Sequence, residues 1–158
     1  MRARPVRLDP SHLPGSHRSR VFLGGRYSDK RPILDNFAQA VSSADFHPII
    51  ADDYQLQIPE HDIHDVTMNL LHSCRLAIFE LSELSGALME IERTVDYGTK
   101  CLILYSDPAN QGWRVSRMLN SFVEEHAEQM QLRAYNHLPS AIRKLKQWLA
   151  AMRRLTYG

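Results

Sequence analysis

From Arg20 onward, short apolar runs alternate with helix-length amphipathic segments. Val21-Phe22-Leu23 reads as a strand closed by Gly24-Gly25, and Ile33, Leu34, Phe37, Ala40 and Val41 then recur at helical spacing. Pro32 is placed at that helix's entrance, where proline is tolerated. His47-Pro48-Ile49-Ile50-Ala51 reads as a second strand ending at the acidic pair Asp52-Asp53. Ile63, Val66, Leu70 and Cys74 space a second helix. Leu76-Ala77-Ile78-Phe79 forms a third strand that ends at Glu80. Leu88, Ile91 and Val95 are the expected buried stripe of a third helix, stopped by Gly98. Cys101 to Tyr105 is the fourth strand. A helix using Val115, Met118, Leu119, Phe122 and Val123 follows it, then a weaker strand from Leu132 to Tyr135. The last helix is expected over roughly Ser140 to Arg154, with Ile142, Leu145, Trp148 and Leu149 inward.

Five near-continuous apolar strands, each followed by a helix, specify a parallel sheet covered on both faces. The expected fold is an α/β, flavodoxin-like three-layer sandwich with strand order 2-1-3-4-5. In such sheets ligands bind beyond the carboxyl ends of the strands, where the strand order reverses. The candidate site therefore draws on Gly24 to Asp29, Asp52 to Tyr54 and Glu80 to Glu90.

Residues 1–19 carry three prolines, scattered arginines and no hydrophobic period, which reads as a flexible basic arm preceding a single domain over 20–158. The chain's 158 residues suffice for a core without disulfides or a structural metal. No apolar run reaches the roughly 18 residues of a membrane helix, and the basic N-terminus has no signal-type apolar stretch. Two cysteines in apolar runs exclude a disulfide framework, so a cytoplasmic setting is expected.

The formal net charge of +1 is unevenly spread. Residues 1–20 carry a net +4 and residues 129–158 a net +6, leaving 8 basic and 17 acidic residues, a net −9, in between. Basic ends suit a subunit contact, and a homo-oligomer is expected. An acidic body is a poor groove for phosphate tracking, so nucleic acid and membrane are not expected partners.

The familiar signatures of this fold are missing. There is no G-x-x-x-x-G-K-[ST] loop and no G-x-G-x-x-G after the first strand. A phosphoacceptor receiver would need an acidic pair where Gly24-Gly25 stands and a lysine after the last strand. His61-Asp62-Ile63-His64-Asp65 has metal-capable side chains, but it opens a helix where Asp caps well and has no partner cluster. Neither a metal nor another cofactor is expected. Trp113, beyond the fourth strand, suits either a pocket lid or the docking of its own helix.

What remains at the strand ends is glycine, hydroxyl and carboxylate. Gly24-Gly25 lets a ligand approach the backbone, with Arg26, Tyr27 and Ser28 supplying a cation, an aromatic face and a hydroxyl. Ser82, Ser85 and Gly86 make the turn from Glu80 into the third helix, and Glu90 follows one turn inside it. Glu90 lies about 100–160° around the helix from Leu88, Ile91 and Val95, which is expected to point it away from the core; it either leans over the sheet end or complements the helix dipole.

Ser85-Gly86-Ala87-Leu88-Met89-Glu90-Ile91, running on to Gly98, resembles the motif of the nucleoside 2-deoxyribosyltransferase superfamily, and is similar also to nucleotide-binding TIR-like domains. Val21 to Gly25 matches their first strand and glycine turn, and Glu80-Leu81-Ser82 stands where they often carry Asp-Leu-Thr or Asp-Leu-Ser. The resemblance covers about residues 20–106. Glu92 occupies a position that is usually Gly.

The resemblance implies an enzyme of the N-glycosidic bond, a deoxyribosyltransferase or a nucleoside or NAD hydrolase. Glu90 would act at the anomeric carbon as nucleophile or electrostatic stabiliser. Glu80 or Asp52 would meet the sugar hydroxyls, with Asp53 beside them, and Tyr27 would stack on or orient the base. The ligand would be a nucleoside, a nucleotide or NAD. The other implied role is a non-catalytic, TIR-like nucleotide-binding or signalling and assembly module. Glu90 at the motif position suits the first, and Glu92 in place of Gly suits the second.

Overall fold

Period-two alternation along the strands sorts their side chains onto two faces, and this builds the architecture. The computed structural model describes residues 13–25, 27–55, 63–81, 87–106 and 117–157. Five strands form one sheet: β1 (Arg20–Gly24), β2 (His47–Ile50), β3 (Leu76–Glu80), β4 (Lys100–Ser106) and β5 (Met130–Tyr135). All pairings are parallel and the order is β2-β1-β3-β4-β5, as expected from the sequence. The helices are α1 (Tyr27–Ser43), α2 (Ala51–Gln55), α3 (Ile63–His72), α4 (Ala87–Tyr97), α5 (Arg117–Glu125) and α6 (Leu138–Tyr157).

Val21, Leu23, Ile78, Leu102 and Leu104 point to one face, where Leu34 and Phe37 of α1 and Leu145, Trp148 and Leu149 of α6 cover them. Phe22, Ala77, Phe79, Cys101 and Ile103 point to the other, against α3, α4 and α5 through Leu70, Ile91 and Leu119. The three-layer sandwich is thus written in the strand alternation. Among the described residues no helix is long and apolar enough to cross a membrane.

Three local expectations are revised. Helix α1 begins at Tyr27, so Pro32 lies in its second turn rather than at its entrance, where it removes one backbone hydrogen bond. Ala51 starts the short helix α2 instead of ending β2. In α4 the buried side chains are Glu90, Ile91 and Thr94, while Leu88 is 37% exposed. Gly98 does stop that helix: it takes φ 67°. The Thr99 amide then donates to the Thr94 carbonyl at 2.9 Å, the closing bond of a left-handed cap.

The segment expected to be a loose arm is held over its described part, residues 13–19. Leu13 is buried in the core layer beneath α3 and α4, and the Arg75 amide donates to the His17 carbonyl at 3.0 Å. Arg20, only 5% exposed, donates from Nε to the Pro14 carbonyl at 2.8 Å and from one terminal nitrogen to that of Gly15 at 2.9 Å. Its other terminal nitrogen reaches the Ser73 carbonyl at 3.2 Å.

Candidate functional site

Strand order reverses at β1, which is flanked by β2 and β3, so the crevice beyond the carboxyl ends of β1 and β3 is the place this fold offers a ligand. Gly24, Gly25 and Glu80 stand at that end, and Asp52 and Asp53 follow β2 within α2. Glu90 sits in the first turn of α4, the helix that follows β3.

Gly24 has a packing reason to be glycine. It lies opposite Phe79 in the β1–β3 register, and a Cβ there would come within 2.5 Å of the Phe79 ring. A Cβ on Gly25 would sit 3.1 Å from the Glu80 carbonyl oxygen, so the backbone of the glycine turn runs tight against the end of β3. The two glycines thus bring the turn close to Glu80.

Glu80 closes β3 and is 2% exposed. Alternation places its side chain on the α1/α6 face, in line with Ile78. There the Tyr135 hydroxyl, at the end of β5, donates to Glu80 Oε2 at 3.0 Å. A buried carboxylate demands such a donor, and a buried tyrosine hydroxyl demands an acceptor. The tyrosine reaches across the end of β4 to do this. Sequence reasoning recognised Tyr135 only as a strand end; the available signal was a hydroxyl-bearing aromatic closing a strand at the ligand-binding edge.

Glu90 is 9% exposed, contrary to the expectation that it avoids the interior. Its helix belongs to the opposite layer, since Ile91 packs with Phe79 and Ile103. Loss of solvent pushes the Glu90 carboxyl up to about 7 from its usual 4.5. Placement in a helix's first turn favours the anion, but the burial outweighs it. Glu80 at the end of β3 and Glu90 on α4 therefore belong to different layers, one bonded to a phenol and the other desolvated. The structure does not stack them on one face.

Asp52 and Asp53 are joined by a residue the sequence reading passed over. Arg31 of α1 donates to Asp53 Oδ1 at 2.7 Å, to Asp35 Oδ1 at 2.8 Å and to Asp52 Oδ2 at 3.3 Å. The acidic pair is thereby tied to α1 at the β2 edge of the sheet. Tyr27 and Ser28 lie in the first turn of α1, but their side chains fall outside the described residues. Arg26, Ser82, Ser85 and Gly86 lie outside the described residues, as do His61, Asp62 and Trp113. Among the described residues no three His, Cys, Asp or Glu side chains gather as a metal site. Cys74 and Cys101 are buried, and desolvation raises both thiols, Cys74 up to about 12, which makes them unreactive. Glu92 is exposed on α4, lining a surface groove with Met68, Met89 and Phe122. In this chain the position does not enter the core.

The sheet order defines a flavodoxin-like α/β domain with carboxylates at the carboxyl ends of its strands. A solved structure of the same fold is that of the Clostridium botulinum CMP N-glycosidase BcmB, with a TM-score of 0.62 and 14% identity, over 82% of this chain and 98% of that one. A flavo di-iron protein from Thermotoga maritima matches with a TM-score of 0.48 and 13% identity, over 90% of this chain and 36% of that one. No family model and no curated protein matches the chain.

Proposed function

We propose that this domain breaks the N-glycosidic bond of a nucleoside or nucleotide, using Glu90 at the anomeric carbon. The observation that carries this reading is the desolvated Glu90 carboxyl, set in the first turn of α4 just beyond the β3 end that Glu80 closes. Likeness of fold to a CMP N-glycosidase supports the choice of bond, and makes cytidine monophosphate the first substrate to try.

Departure of the base builds positive charge on the sugar ring, and an ionised carboxylate held in a low-dielectric pocket stabilises that charge strongly. In the nucleophilic form, Glu90 attacks C1′ as the C–N electron pair leaves with the base, which takes up a proton. Water, or a second base, then displaces Glu90 from C1′ and restores the carboxylate. Hydrolysis and base exchange differ only in that second acceptor. The sugar hydroxyls fall to Glu80 or Asp52, with Arg31 bridging Asp52 and Asp53.

The test is chromatographic detection of free base from cytidine monophosphate, other nucleoside monophosphates, NAD, and 2′-deoxynucleosides supplied with an acceptor base. Wild type is expected to release or exchange a base, and Glu90→Gln to lower kcat by roughly 10³-fold or more while remaining folded. Because the working form of Glu90 is the anion, kcat/KM should rise as pH rises through about 7 and level off above it. Saturable nucleotide binding without base release would instead mark a binding module, and the enzymatic reading would fall.

A further inference from the structure

The two helical layers differ in charge, and neither the fold nor the proposed chemistry uses the difference. Helix α6, on one face of the sheet, carries Arg143, Lys144, Lys146, Arg153 and Arg154 and no acidic residue. Lys144 and Arg153 donate to backbone carbonyls of their own molecule. Arg143, Lys146 and Arg154 are exposed and have no acidic partner among the described residues. The layer on the opposite face is acidic at its surface: Glu92 and Asp96 of α4 and Glu124 and Glu125 of α5 are exposed. Arg93 of α4 lies 3.5 Å from Asp96.

Apolar exposure follows the same division. The large apolar side chains left exposed among the described residues are Leu88 and Met89 in α4 and Leu155 near the end of α6. Met89 lines a groove with Met68 of α3, Val95 of α4 and Phe122 of α5, and Glu92 and Asp96 belong to the same lining. Single exposed apolar residues are ordinary, but a groove with two methionines and a carboxylate edge is an adaptable seat for a cationic amphipathic helix. Helix α6 has that character on its outward side: Ala151 and Leu155, one turn apart, are exposed beside Arg154. Glu92, which stands where the families the chain resembles usually carry Gly, puts a negative charge in the groove. The groove and α6 lie on opposite faces of one sheet, so α6 cannot reach the groove of its own molecule.

We propose that the chain associates with itself head to tail, the last turns of α6 from one copy seated in the α3/α4/α5 groove of the next. Leu155 would enter between Met89 and Phe122, with Arg154 facing Glu92 and Asp96. The contact is heterologous: each copy offers one groove and one α6, so association continues into a ring or a filament rather than stopping at a two-fold dimer. Opposite charge fixes the pairing of unlike faces, because groove-on-groove and α6-on-α6 contacts are repulsive. The proposal does not depend on which bond the domain acts on.

Sedimentation velocity of the full chain at about 50 mM and about 500 mM salt, with Met89→Asp, Leu155→Asp and their equimolar mixture, tests this. The two side chains are 56% and 61% exposed, so each variant should keep the wild-type thermal midpoint within about 2 °C. Wild type should form species larger than a dimer at low salt, with an apparent Kd roughly tenfold or more weaker at high salt. Each variant alone should be monomeric, because each lacks one half of the contact. In the mixture, the groove of the Leu155→Asp chain and the α6 of the Met89→Asp chain are both intact, so a 1:1 heterodimer should form and grow no further. Wild type that stays monomeric up to roughly 100 μM, or that stops at a dimer, overturns the proposal. So does an assembly that survives either variant or is indifferent to salt, and so do two variants that remain monomeric when mixed. Should either variant not fold, Glu92→Lys and Arg154→Glu take their places, and the same complementation on mixing is required.

Discussion

The two ends of the sheet bury opposite charges and treat them differently. At the amino-terminal end, Arg20 is 5% exposed and its guanidinium is spread over backbone carbonyls of Pro14, Gly15 and Ser73. At the carboxyl end, Glu80 accepts from the Tyr135 phenol, and Glu90 is raised by burial alone. A buried ion surrounded by backbone acceptors is part of the framework: its partners cannot move away, and it staples residues 13–15 to the start of β1. At Glu90 burial itself favours the neutral carboxyl, a preference for another protonation state. The contrast separates a framework end from the end where the proposed chemistry would sit.

The largest effect expected from that contrast is on the framework end. Arg20→Leu removes donors from several carbonyls at once and should destabilise the domain by about 2–4 kcal/mol. For a chain of this length that is a fall of roughly 5–15 °C in the thermal midpoint. Any base-releasing activity, measured per folded molecule, should be unchanged. A midpoint within about 2 °C of wild type would dissolve the distinction between the two ends.

Glu90→Gln should act in the opposite sense on stability. The folded-state value near 7 lies above the ordinary 4.5, so between these the native state binds more protons than the unfolded chain, and stability falls as pH rises. Below about 4.5 the group contributes no difference. Above about 7 the full penalty, roughly 3 kcal/mol at most, is present. Glutamine carries no charge to desolvate, so the variant should be more stable than wild type at pH 8 and equal to it near pH 4. Denaturant titrations at the two pH values measure this directly, and parallel curves for the two proteins would show that Glu90 is better solvated than its burial implies.

How much of this was legible beforehand depended on whether a signal was local. The sheet was, because Val21/Leu23 and Phe22 alternate within one strand, as do Leu102/Leu104 and Cys101/Ile103. Strand order followed from regular strand–helix alternation. The inward face of α4 was not legible: hydrophobicity selected Leu88, Ile91 and Val95, whereas burial selects Glu90, Ile91 and Thr94. A face that buries a carboxyl violates the very pattern used to find it. Tyr135 was out of reach for another reason, since nothing in its own segment points to Glu80. The docking of residues 13–19 was hidden similarly, because it depends on an arginine inside β1 and a carbonyl before β3. Of the candidate site, Glu80 and Glu90 were legible as carboxylates at a strand end and a helix start; their separation onto two layers was not.

The smallest effect concerns Arg31, and it decides which carboxylates belong to the framework. Arg31 touches Asp35, Asp52 and Asp53, and all four side chains are more than a quarter exposed. Ion pairs in that setting are screened and entropically costly to hold, so Arg31→Gln should destabilise by no more than about 1 kcal/mol at low salt. The difference should shrink toward zero at high salt, which denaturant midpoints at two ionic strengths would show. The informative quantity is KM for whichever nucleotide gives turnover. If Asp52 and Asp53 serve mainly to tie α2 to α1, freeing them leaves KM unchanged, and the acidic pair joins Arg20 in the framework. A clear change in KM would instead put Asp52 back beside Glu80 as a sugar partner, and the crevice would extend from β3 across β1 to the β2 edge.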